Sequence, residues 1–133
     1  MKYFYRSNGA LKACSKMRDV PVENKTGDNA YFTAWDIFSA DHAWQIANEL
    51  SNDRTKYIAV DNQDTKPRWA ILELPAIGDD VECLTSSGVF LSCGEVVSID
   101  ETYEISTSTG RVFKYHGGGI WMNGTNKLVI AIN

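Results

Sequence analysis

A chain of 133 residues, 44% hydrophobic and 23% charged, carries enough apolar material to fold as one domain or a small domain with an extension, and too much to be disordered. A formal net charge of −4 argues against a general nucleic-acid binder, which needs a basic footprint. The longest apolar runs, Trp69–Leu72 and Leu128–Ile132, fall far short of the roughly 20 residues that cross a bilayer, and the opening MKYFYR lacks the apolar stretch of a signal peptide. A cytoplasmic protein without a membrane partner is therefore expected.

The elements follow in chain order. KYFYR, residues 2–6, alternates aromatic and polar side chains as a strand does, and Asn8-Gly9 suits a tight hairpin turn. The return strand runs through Leu11, Ala13 and Ser15, although ALKACSKM also fits a short helix. Residues 20–29 are rich in turn formers and read as a loop. A helix is predicted over Ala40–Asn52. Ser39 caps it, Asp41 complements the dipole in the first turn, and Ala43, Ile46, Ala47 and Leu50 form one apolar stripe with Trp44 at its edge. Tyr57–Val60 and Arg68–Leu74 read as two strands joined by a polar loop. The first half is thus expected to be a helix on a small antiparallel sheet.

Pro75 reads as a joint, dividing an α+β half (1–75) from a second half (76–133) packed on it. Beyond it come short strands at Asp80–Thr85, Val89–Ile99, Tyr103–Thr107, Arg111–Tyr115 and Lys127–Ile132, each bounded by turn residues. Gly94 inside the second strand marks a bulge or sharp bend. Five short strands without a helical pattern predict a five-stranded SH3-like β-barrel, making the whole chain α+β.

The run Gly78-Asp79-Asp80-Val81, then Gly94-Glu95-Val96-Val97-Ser98-Ile99, Tyr103-Glu104-Ile105, and Gly110-Arg111 with Lys114-Tyr115 and a glycine turn, resembles small barrel proteins encoded by bacteriophages. The resemblance implies a small barrel and a mobile-element origin. It supplies no activity, and residues 1–75 carry none of it.

Charge is sorted along the chain. Between Arg68 and Arg111 lie 42 residues without lysine or arginine but with eight carboxylates, whereas residues 1–30 hold six basic and three acidic side chains. A field of this kind selects partners by sign. The expected function is non-enzymatic: a phage or mobile-element protein that binds and inhibits or modulates a host protein with a basic surface, such as a defence or nucleic-acid-processing factor. The predicted contact residues are Glu82, Glu95, Asp100, Glu101 and Glu104, with Trp121 and Trp44 as exposed hydrophobic anchors. The alternative is a nucleic-acid-binding accessory domain that uses the basic N-terminal hairpin.

Other chemistry has weaker support. His116, beside Gly117–Gly119, is a possible general base without a guaranteed partner, and His42 sits in the first helical turn. The glycine triplet precedes Ile120-Trp121-Met122, which is not the helix start a phosphate loop needs. Cys83 and Cys93 are ten apart, too far for the close ligand pairs of structural zinc. With Cys14 they make an odd set, read as buried reduced thiols. Asp79-Asp80 and Asp100-Glu101 read as solvated turn acids, since adjacent strand residues point to opposite faces. No cofactor or metal is expected.

Overall fold

In the computed structural model, which describes residues 2–27 and 30–130, the first hairpin forms as Tyr3–Ser7 (β1) and Ala10–Cys14 (β2). Asn8 and Gly9 turn it with φ of 53° and 79°, the double positive φ that Asn-Gly tolerates. The strand reading of ALKAC therefore holds over the helical one. The segment read as a pure loop contains a 3-10 turn at Val22–Asn24, and buried Asn24 donates Nδ2 to the Arg6 carbonyl at 3.1 Å. Positions 28 and 29 of that loop lie outside the described residues.

Phe32–Thr33 (β3), too short for any sequence pattern, pairs with β1 to give a three-stranded sheet in the order β2-β1-β3. Helix Ala40–Leu50 (α1) follows, with Ser39 Oγ accepting the His42 amide at 3.1 Å. It ends where Ser51 Oγ donates to the Ala47 carbonyl and accepts the Tyr57 amide. Among the described residues Tyr57–Asp61 (β4) and Trp69–Glu73 (β5) pair only with each other, so the expected single sheet is in fact two. The helix packs on β2, β4 and β5 together. Its stripe of Ala43, Ile46, Ala47 and Leu50 joins Phe4, Leu11, Ile37, Ala59, Trp69 and Ile71 in one core. Each large apolar side chain so buried contributes about 1.5–3 kcal/mol.

The described residues divide into two compact units at the Glu73–Leu74 bond. The second is a closed antiparallel barrel of six strands: Asp80–Leu84 (β6), Phe90–Ile99 (β7), Ile105–Thr107 (β8), Val112–Tyr115 (β9), Trp121–Asn123 (β10) and Asn126–Val129 (β11). The expected count of five misses β10, a three-residue strand between two glycine turns that pairs with both β9 and β11. The strand foreseen to Ile132 pairs only as far as Val129, and its last two positions lie outside the described residues. Every strand pairs with its sequence neighbours, and β11 returns to β6 to close the ring. Gly94 does mark a bulge: Asp80 pairs with Glu95 and Glu82 with Ser92, leaving one extra residue on β7. The interior holds Val81, Cys83, Cys93, Val96, Ile105, Phe113, Trp121 and Leu128.

Candidate functional site

The net charge of the chain resides in one unit. Residues 1–73 carry ten basic and ten acidic side chains, whereas residues 74–133 carry three and seven. Among the described residues the ion pairs Lys2–Glu73, Arg6–Glu49 and Arg68–Asp61 all lie in the first unit. No barrel carboxylate has a lysine or arginine nitrogen within 4 Å among those residues. The barrel's negative field is therefore uncompensated by close pairing.

Strand alternation sets where the acids point. Val81 and Cys83 are buried, so Asp80 and Glu82 face outward on β6, and Glu95 stands directly opposite Asp80 on β7. Like charges facing across a strand pair cost stability rather than add to it. Asp100, Glu101 and Glu104 occupy the β7–β8 turn instead. There Asp100 Oδ1 accepts from Thr102 Oγ1 (2.7 Å), the Thr102 amide (2.8 Å) and the Glu104 amide (2.9 Å). The Thr102 hydroxyl, with those amides, holds the Asp100 carboxyl below its ordinary pKa. Asp100 lies five positions beyond Glu95, just past the end of β7, roughly 17 Å away at strand pitch. The expected acidic face thus consists of two groups: Asp80, Glu82 and Glu95 on the strands, and Asp100, Glu101 and Glu104 at a loop.

The tryptophans correct the sequence reading. Trp121 is 0% exposed and cannot be a surface anchor. Its indole Nε1 donates to the Tyr103 carbonyl at 2.7 Å, and the Tyr115 ring packs on it with centroids 4.4 Å apart. Trp44 is half-buried against the core of the first unit. The exposed large aromatics are others: Trp35 and Phe38 near the start of α1, and Phe90 on β7, at 53%, 86% and 60% exposure. A reciprocal capping box between Thr33 and Asp36 orders the turn that carries Trp35.

His116 is exposed, and its backbone pairs with Ile120 across the glycine turn. Among the described residues no three His, Cys, Asp or Glu side chains gather as a cation site. No helix of the described residues is long and apolar enough to cross a membrane. Cys83 and Cys93 are free and fully buried, whereas Cys14 is half-buried. Burial, then the hydrogen bond with Cys83, pushes the Cys93 thiol up to about 11. Since the thiolate is the reactive form, an aromatic disulfide reagent should label Cys14 in the native protein and the other two only in denaturant. Three fast thiols in native buffer would show that the barrel interior opens.

Sequence reasoning also missed a groove of about 430 Å³ on the barrel, lined by Leu84, Phe90, Ile120, Lys127 and Val129 together with Gly118 and Gly119. Each of these residues looks like an ordinary strand or turn position, and the β6–β11 and β6–β7 pairings bring Lys127, Leu84 and Phe90 side by side. No protein-family model, curated protein or solved structure matches the chain.

Proposed function

We propose that the chain is a non-enzymatic protein-binding module whose barrel docks on a basic surface of a partner protein. The observation that carries this reading is the confinement of the net charge to the barrel, with its carboxylates outside any close ion pair among the described residues. Such a field speeds encounter with a basic patch and rejects acidic ones. The phage-type resemblance supports the finer reading: an SH3-like unit, encoded by a mobile element, that acts in the host cytoplasm on a defence or nucleic-acid-processing factor. Basic protein surfaces commonly serve nucleic acid, so covering one inhibits.

The nucleic-acid alternative loses support at its own residues. The Lys2 side chain is only 11% exposed, paired with Glu73 and placed over the Tyr57 ring. Arg6 Nη2 contacts both carboxylate oxygens of Glu49 at 3.1 Å.

The test is capture of a partner from host extract with the wild-type chain and with Asp80, Glu82 and Glu95 all changed to lysine. The partner should leave the wild-type chain in moderate salt, and its association rate should fall roughly tenfold or more with the variant. Equal capture by both chains would remove the electrostatic basis of the reading.

A further inference from the structure

The outward positions of β11, β6 and β7 fall into rows fixed by strand register. Lys127, Leu84 and Phe90 are cross-strand neighbours in one row, and Val129, Glu82 and Ser92 form the next. Asp80 and Glu95 make a third row. Members of the first two rows line the groove together with Ile120. Glu82 therefore stands in the same row as a groove wall, and the Asp80–Glu95 pair lies one row beyond. The apolar groove and the strand carboxylates are one continuous strip. Phe90, Val129 and Ile120 leave 60%, 40% and 38% of their surface in water along it. Exposed apolar surface rimmed by polar groups marks an interaction site.

We infer that this strip binds an extended basic segment of the partner, with one apolar side chain seated between Phe90, Val129 and Ile120. A lysine or arginine two to four residues farther along that segment meets Glu82 and then the Asp80–Glu95 pair. The spacing comes from the strand itself: Glu82 and Asp80 lie two and four residues from Leu84, roughly 7 and 13 Å, and an extended peptide has the same pitch. Charge decides the chemistry, because three carboxylates face a single cation on the strip. Lys127 sits in the row farthest from Asp80 and Glu95, so it repels a cation there and sets the direction of the segment. The inference rests on the docking reading above and names the chemistry of what is docked.

Binding of two dye-labelled synthetic peptides to the full chain tests it: Gly-Ser-Phe-Ser-Lys-Ser-Lys-Ser-Gly, and the same peptide with serine for phenylalanine. The phenylalanine peptide should bind about tenfold tighter, the scale of burying part of one aromatic ring. Phe90→Ser should abolish that difference and leave the serine peptide unchanged. Val129→Ser should act in the same direction, and Glu82→Gln should weaken both peptides. Equal, salt-sensitive binding of both peptides with no effect of Phe90→Ser overturns the groove inference and leaves acidic docking standing. Failure of both peptides to bind at low salt overturns the inference and counts against acidic docking as well. Self-association that Phe90→Ser abolishes, without peptide binding, would assign the groove to a second copy of the chain and overturn the inference too.

Discussion

Replacing Trp121 by alanine should destabilise the protein by about 3–5 kcal/mol, the range for emptying a buried aromatic site. Three separate losses add up there. The indole is wholly buried, so truncation leaves a cavity that a closed six-stranded ring cannot easily collapse. The Tyr115 ring loses its contact with the indole, and the Tyr103 carbonyl loses the indole N–H. Tyr103 is itself held at φ 67°, a left-handed conformation that bulky residues seldom adopt, and the indole hydrogen bond helps fix it. Trp121→Phe keeps most of the volume and should cost about 1–2 kcal/mol through the missing donor. The measurement is the midpoint of chemical denaturation for all three chains. A Trp121→Ala midpoint close to wild type would contradict the packing described for β10.

Gly94→Ala should cost about 2–4 kcal/mol, a large effect for adding one methyl group. The residue adopts φ 81°, where a side chain costs on the order of 1–2 kcal/mol. The new Cβ would also run into Ser108 Oγ and come within 3.1 Å of Thr109 Cγ2. The serine cannot turn aside freely, because its Oγ accepts the Glu95 amide at 3.0 Å and its amide donates to the Glu95 carbonyl at 2.8 Å. Neighbouring Thr109 donates Oγ1 to the Cys93 carbonyl at 2.7 Å. Bulge and turn are thus laced together, and displacing one hydroxyl forfeits about 1 kcal/mol more per bond lost. The double variant Gly94→Ala with Ser108→Ala separates the terms: it should relieve the clash with Oγ but keep the φ penalty and the loss of the Glu95 amide's acceptor. If Gly94→Ala alone melts like wild type, the bulge geometry is wrong.

What the sequence disclosed followed from local chemistry. Helix α1 was legible because Ser39, Asp41 and a 3.6-residue stripe all agree, and Gly94 because an isolated glycine in a strand has few other uses. Strand β10 was not, since three residues show no period, and Trp121 inside it looked like any aromatic near a glycine turn. Its burial follows from barrel closure, a long-range event without a local signature. The acidic bias was legible as composition, but its division into a strand group and a loop group depends on β7 register. The groove was hidden for the same reason: Leu84 and Val129 belong to strands far apart in the chain. Trp35 and Phe38 are exposed despite being aromatic, and no pattern in their neighbourhood distinguishes them from core residues.

Closure of the ring carries a consequence for how the barrel comes into being. Leu128 faces Cys83, a partner 45 residues earlier, whereas every other strand pairing of the barrel joins neighbours in sequence. Until that last pairing is made, β6 and β11 each present a row of unpaired backbone groups, and the half-formed meander is an open template for other chains. The contact that removes both edges is also the one with the largest loop to close, hence the slowest to gain. The barrel's vulnerable moment is therefore late in folding. The short β11 guards it, so a chain stopped before Asn126 would lose its protection against self-association as well as a strand.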